Sequence, residues 1–459
     1  MQDEKNFLGT EPVGKLLLKL ALPAIAAQLI NLLYNMVDRI YIGHIPETGA
    51  LALTGVGVCM PVIMIVSAFA ALVSMGGAPR ASIYMGKQDN DMAEKILGNC
   101  LTLQIVISAA LTAILLLFNR PLLLTFGASE NTIDYAVSYM RIYAIGTVFV
   151  QLTLGMNAFI TGQGFARTGM LSVLIGAVCN IILDPVFIFG LGLGVGGAAL
   201  ATIISQGVST VWVLAFLSGK KTILKIRKKN IGINGSVILP CMALGISPFI
   251  MQSSESVIMV CFNSSLLKYG GDIAVGAMTI LTSVMQFSML PMQGIAQGAQ
   301  PVSSYNFGAG NADRVKATFK LLLAACLTYS MALWLAIMIT PQFFARIFTP
   351  DRDLVAFTGT ALRIYAGGMG LMGAQIACQM TFISLGNAIA SVIVAVVRKF
   401  VLLIPLIYTL PHFLQDKTMA VYTAEPVADV IAVTFTVILF SFQFRKAMKK
   451  LETSVCRGR

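Results

Sequence analysis

Twelve long apolar runs follow one another from end to end of the chain, and no other feature of the sequence restricts its fold so strongly. A run of about 18 or more apolar residues is long enough to cross a bilayer as a helix. The runs lie at 16–38, 51–76, 96–118, 135–158, 168–190, 195–217, 236–262, 273–299, 317–340, 354–382, 388–410 and 420–443. Within lipid every backbone N–H and C=O must find a partner inside the protein, and long unbroken runs find theirs as helices. Only 11% of the residues are charged, against about 25% in an ordinary soluble domain. The expectation is an all-α integral membrane protein of twelve transmembrane helices, with no sizeable soluble domain.

The connections carry an uneven charge. The N-terminus, the even-to-odd connections and the C-terminal stretch together hold 22 Lys and Arg, from Lys5 through Lys220, Lys221, Lys225, Arg227, Lys228 and Lys229 to Arg459. The other side holds five: Arg120, Lys268, Arg346, Arg352 and Lys417. Positive loops stay in the cytoplasm, so both termini are expected inside, in the plasma or inner membrane. This topology also accounts for the net charge of +12, which in a soluble chain would suggest nucleic acid. The first residues show no cleavable signal, and the first span is expected to serve as the membrane signal. The eight cysteines fall mostly inside apolar runs without a C-x-x-C, and the two histidines, His44 and His412, are far apart. Neither type points to a catalytic or metal cluster.

The sequence repeats itself at an offset of 222 residues. Arg141-Ile142-Tyr143-Ala144 recurs as Arg363-Ile364-Tyr365-Ala366, Pro79 and Gly86 as Pro301 and Gly308, and Gly164 as Gly386. Each half holds six spans, an even number, so the halves run in the same direction and a pseudo-two-fold along the membrane normal would relate them. The expected organisation is an N-terminal lobe over 1–219, an inter-lobe linker over 220–235, a C-terminal lobe over 236–445 and a basic tail over 446–459.

With that organisation, several stretches resemble the multidrug and toxic compound extrusion (MATE) transporters. Leu22-Pro23-Ala24 through Tyr34-Asn35-Met36-Val37-Asp38-Arg39, closing at Gly43, is similar to the family's first helix. Gly77 to Gly86 resembles the region after its second span, Gly155-Met156-Asn157 to Gly162-Gln163-Gly164 the end of its fourth, and Asn180 to Pro185 its fifth. The resemblance implies export of organic, often cationic compounds in exchange for Na⁺ or H⁺, and it implicates an N-lobe polar set, Asn157 included, in cation coupling.

The residues themselves point to the same place. Charge inside a bilayer is costly, so intramembrane acids are functional candidates. Three stand out: Asp38, Asp184 and Glu255. Asn31, Asn35 and Asp38 share one helix face, as do Asn180 and Asp184, which Pro185 follows. Asp38 lies about 20 residues into an outward span, or roughly 30 Å. Asp38, Asn180, Asp184 and Thr202 are therefore expected to meet in the outer half of the N-terminal lobe. Two carboxylates, an amide and a hydroxyl suit Na⁺, and they equally suit a proton.

A second set is expected to line a substrate cavity: Asn31, Tyr34, Asn35, Gln252, Glu255, Met285, Met289, Gln293, Gln375 and Gln379. Methionine adapts to varied apolar shapes and glutamine supplies uncharged hydrogen bonds. Span ten has only Gln375 and Gln379 where some MATE members carry an acid. The glycines at 190, 192, 194, 196 and 197 follow no strand, so they read as a tight hairpin and not as a nucleotide loop. With no Walker motif, energy is expected from an ion gradient, with no cofactor beyond H⁺ or Na⁺ and no enzymatic activity. The expected partners are small molecules and lipid, without nucleic acid, and the chain reads as a monomer. The alternatives are a lipid-linked precursor flippase of the same superfamily and an intramembrane transferase, which would need paired Asp clusters not found here.

Overall fold

A computed structural model describes residues 6–457, so Lys5 and Arg459 lie outside the described residues. Helices account for nearly all of it and no strand occurs among the described residues. After a single turn at Phe7–Thr10 come α1 (Val13–Gly43), α2 (Gly49–Gly86), α3 (Asn90–Thr125), α4 (Ile133–Gly162), α5 (Ala166–Pro185) and α6 (Gly194–Ser218). Then follow α7 (Gly235–Gly308), α8 (Ala312–Ile339), α9 (Arg352–Tyr365), α10 (Met372–Ser384), α11 (Ala388–Val396) and α12 (Lys417–Arg457).

Among the described residues ten stretches are long and apolar enough to cross a membrane, α11 together with its continuation to His412 being one, and twelve crossings follow from two local departures. The 74 residues of α7 contain one non-helical position, Gly271, at φ 65° and ψ −160°. Only glycine adopts that backbone without strain, so spans seven and eight meet there with almost no loop, where 263–272 was expected as a connection. The tenth span is interrupted by a tighter 3₁₀ turn, Ala366–Leu371, which leaves α9 and α10 each short of a full crossing. The basic tail expected over 446–459 is no separate segment: α12 runs on through it to Arg457, and Met448 packs with Ala312 and Val315.

The repeat read from the sequence is visible in local structure. At the 222-residue offset, α2 and α7 end at Gly86 and Gly308, and α4 and α10 end at Gly162 and Ser384. The next residues turn at Gly164 and Gly386, both with positive φ, 91° and 74°. Even a side-chain hydrogen bond recurs. Ser82 Oγ donates to the carbonyl of Gly162 at 2.7 Å, and Ser304 Oγ to that of Ser384 at 2.9 Å.

The chain forms two compact units. The main body of one is Leu22–Gln252; the other comprises Leu8–Ala21 and everything described from Ser253 onward. Helix α1 thus changes unit just before Pro23, and α7 changes unit between Gln252 and Ser253. In the first unit, Ile42, Val56, Val62, Tyr139 and Tyr143 share a core. There α2 and α7 touch backbone to backbone: Gly76 lies against the carbonyl of Cys241 and Gly245 against that of Leu72, so no β-carbon fits at either glycine. In the second unit, Phe262, Leu281, Tyr365 and Tyr422 share the core. Large apolar side chains are exposed along the helices: Leu117 is 76% exposed, Ile389 75% and Phe442 71%. Such a surface is solvated by lipid, not water.

The segment expected as a linker, 220–235, is lashed onto the first unit. The side-chain oxygen of Gln163 accepts three hydrogen bonds, from Thr222 Oγ1 (2.9 Å) and from the backbone of Ile223 and Leu224 (2.8 Å each). Glu94 accepts from the backbone of Lys225 and pairs with Arg227. Asn99 Oδ1 accepts from Asn234 at 2.7 Å. Replacing Gln163 by Leu leaves two backbone N–H groups and a hydroxyl without that acceptor. The expected cost is about 2–4 kcal/mol, read as a lowered thermal unfolding midpoint of the purified protein, with Gln163→Glu losing less. An unchanged midpoint for Gln163→Leu would show that the strap contributes nothing to stability.

Candidate functional site

Asp38 sits five positions before Gly43, near the end of α1, and is buried although its neighbours Arg39 and Ile40 are exposed. Asp184 is the penultimate residue of α5, next to Pro185, and Asn180 lies one turn earlier on the same face. Proline cannot donate to the carbonyl four residues back, and the helix widens into a π turn over Val186–Gly190. Gly192 and Gly194, both at positive φ, then reverse the chain into α6, as the glycine cluster led one to expect.

These bends bring the expected acids together. Asn180 Nδ2 donates to Asp184 Oδ1 at 3.2 Å, and the carboxyl groups of Asp38 and Asp184 lie within hydrogen-bonding reach of each other. Asp184 is fully buried and Asn180 nearly so. Three oxygens here, Asp38 Oδ1, Asp184 Oδ2 and Asn180 Oδ1, are enclosed and have no hydrogen-bond partner. Two carboxylates in contact away from water repel unless a proton or a metal cation lies between them. The donor set is all oxygen, which fits a proton or a hard monovalent cation.

The surrounding residues sort themselves by distance from this pair. Thr202, half-buried on α6, donates to the carbonyl of Ala198 at 3.0 Å and hydrogen-bonds the side chain of Tyr139. Tyr139 in turn faces Asp38, so the hydroxyl of Thr202 belongs to the site's rim through a residue that the sequence did not mark. Tyr34 faces Asp38 and hydrogen-bonds Asn35, whose Nδ2 donates to the carbonyl of Asn31 at 2.7 Å. Asn157 is elsewhere. Its Nδ2 donates to the carbonyl of Gly169 at 3.3 Å, and Gly169 lies eleven residues before Asn180 on α5, about 16 Å along the axis.

In the second unit the count of three intramembrane acids falls short. Glu425 and Asp429, both inside the run read as span twelve, are ion-paired there; Asp429 is buried and the Glu425 side chain is only 12% exposed. Arg398 donates through Nε to Asp429 Oδ1 at 2.9 Å and through Nη2 to Glu425 Oε1 at 3.2 Å. Lys399 Nζ donates to Glu255 Oε1 at 2.7 Å. Arg398 and Lys399 open a π-helical stretch, Val397–Leu403, which continues α11. The signal was in the sequence: two adjacent bases in mid-span call for buried acids elsewhere. Glu255 remains half-exposed beside its partner, and Gln252 and Gln293 are exposed. Met285 and Met289 are half-buried. Gln375 is buried, and Gln379 is buried too, its Nε2 bonded at 3.1 Å to both the carbonyl and the hydroxyl of Ser391. That amide ties α10 to α11. Among the described residues no group of three His, Cys, Asp or Glu is placed to hold a metal ion.

The MatE family model matches the chain twice, over residues 23–186 and 247–409, one match in each half of the repeat. The multidrug export protein MepA of Staphylococcus haemolyticus (strain JCSC1435) is 24% identical over 98% of both chains. MepA of Staphylococcus aureus (strain MSSA476) is 23% identical over 81% of this chain and 82% of its own. Among solved structures, the MATE multidrug transporter DinF-BH is 34% identical, with a TM-score of 0.88 over 96% of this chain and 98% of that one. A crystal structure of MATE in the bent conformation is 22% identical and shares the fold at a TM-score of 0.90, covering 96% and 97%. A double match to one family over most of the chain, on a multi-pass helical fold of the same size, settles the assignment: this chain belongs to the MatE family of multidrug efflux transporters.

Proposed function

We propose that the protein is a secondary antiporter of the cell membrane that exports organic, cationic or amphipathic compounds in exchange for H⁺ or Na⁺ by alternating access. What carries the reading is the contact between Asp38 and Asp184, each with an enclosed oxygen that nothing in the protein satisfies. A hydrogen bond between two carboxyl groups needs one proton, and three free oxygens are few for Na⁺, so the geometry favours H⁺ as the coupling ion. The names of the relatives, multidrug export protein MepA and multidrug transporter DinF-BH, support drug-like cargo.

Binding of the ion shifts the conformational equilibrium only by its difference in affinity between the two states. Asp38 and Asp184 lie on helices that carry Pro23 and Pro185, where backbone bonds are already missing. Filling or emptying the site bends α1 near Pro23 or α5 near Pro185 and passes the signal along the helix. Orientation with both termini in the cytoplasm is supported by the 22-to-5 charge bias, and the chain acts as a monomer. Membership in a transporter family removes the transferase alternative. A lipid-linked precursor flippase would want unneutralised bases facing its cargo, whereas Arg398 and Lys399 are each held by carboxylates.

Efflux from loaded proteoliposomes, with pH and Na⁺ gradients imposed separately, tests the reading. Asp38→Asn and Asp184→Asn are each expected to abolish gradient-driven efflux without lowering the yield of folded protein; full activity in both would refute the coupling site. The pH gradient alone is expected to drive transport, and strict dependence on Na⁺ would replace H⁺ with Na⁺. Thr202→Val, which removes one hydrogen bond at the rim, is expected to weaken coupling by roughly tenfold, as the loss of about 1.4 kcal/mol would.

A further inference from the structure

The first unit builds its carboxyl pair from spans one and five, with span six at the rim. The ionic cluster of the second unit is built from spans seven, eleven and twelve, which are the same three helices of the repeat. Glu255 comes from span seven, Arg398 and Lys399 from span eleven, and Glu425 and Asp429 from span twelve. In both units the fifth helix loosens into a π turn beside its charged residues. The two clusters therefore occupy corresponding places on one scaffold, but the second carries bases of its own.

Those bases do not balance it. Three carboxylates face two fixed cations, which leaves one negative charge over. The remaining neighbour that faces them, Tyr365 at the end of α9, is a neutral phenol. Asp429 takes two donors from Arg398, and Glu255 takes Lys399 and keeps a half-exposed side chain for its second oxygen. Glu425 is left with a single donor, on Oε1. Its Oε2 is sealed from solvent and has no hydrogen-bond partner. A buried ionic network with one charge unpaired, in a lipid-embedded bundle, draws in a counter-charge. The smallest that needs no coordination shell is a proton.

We propose that the cluster in the C-terminal unit is a second site for a mobile proton, held on Glu425 Oε2 and governed by the charge balance with Glu255, Asp429, Arg398 and Lys399. The proton arrives from water, converts the carboxylate to a carboxylic acid and leaves by the same route; no other bond changes. This site stands apart from the Asp38–Asp184 pair and does not depend on its role in coupling.

Infrared difference spectroscopy of the full chain in nanodiscs, between acidic and alkaline buffer, reads protonated carboxyl groups by their C=O stretch. The double variant Asp38→Asn/Asp184→Asn removes the other pair, so its transport behaviour is irrelevant to the result. One buried carboxyl band is expected to persist in that variant and to disappear when Glu425→Gln is added. Glu255→Gln, at a half-exposed position, tests the charge count with Glu425 untouched. It frees Lys399 to supply the missing charge, and the band is again expected to vanish. No titrating band in the double variant, a band that survives Glu425→Gln, or a band unmoved by Glu255→Gln would each overturn the proposal. So would a band that excess Na⁺ erases, because the occupant would then be the metal ion.

Discussion

A charge inside a bilayer has no water to solvate it, and every feature of this molecule that bears on transport follows from that shortage. The backbone answers it by coiling, since a helix satisfies its own N–H and C=O groups. Side chains answer it by finding partners. Gln104 and Gln151 hand their amides to the carbonyls of Ala70 and Val66, and Ser209 hands its hydroxyl to that of Ser172. These bonds are structural glue between helices of one unit. At Asp38, Asp184 and Glu425 a carboxylate oxygen is enclosed without a hydrogen-bond partner.

The repeat shows how one scaffold can hold two chemistries. Helix ends, positive-φ glycines and the serine-to-carbonyl bond recur at one offset, because they fix the backbone and tolerate little change. The charged residues of the two clusters do not recur at that offset. In the first unit two acids face each other across α1 and α5. In the second an arginine and a lysine stand among three acids. A helix bundle constrains the shape of its core far more than the identity of a polar residue inside it, provided the local charge can be balanced.

Much of this was legible in the chain. The runs gave the spans, the 222-residue offset gave the halves, and the stripe Asn31, Asn35, Asp38 and the pair Asn180, Asp184 gave the heart of the N-terminal site. What escaped was of two kinds. Glu425 and Asp429 were in plain view inside the run 420–443 but do not stand out as Asp38, Asp184 and Glu255 do, having no polar stripe beside them. Tyr139 gave no signal at all, because a tyrosine in a membrane helix is ordinary until something is known to face it. Gln379 and Asn157 lie near the ends of their spans, and the amide nitrogen of each binds a neighbouring helix.

The sequence by itself determined that the chain is helical, crosses the membrane many times and is doubled, because hydropathy, length and internal likeness act along the chain and need no knowledge of neighbours. Only the tertiary structure decided which polar side chains meet. A carboxylate's partner depends on how helices far apart in sequence are rotated against each other, and a turn of one residue on a helix moves a side chain by about 100°. That rotation brings Asp184 to Asp38 and sets Arg398 between Glu425 and Asp429, while depth along the axis separates Asn157 from the acids.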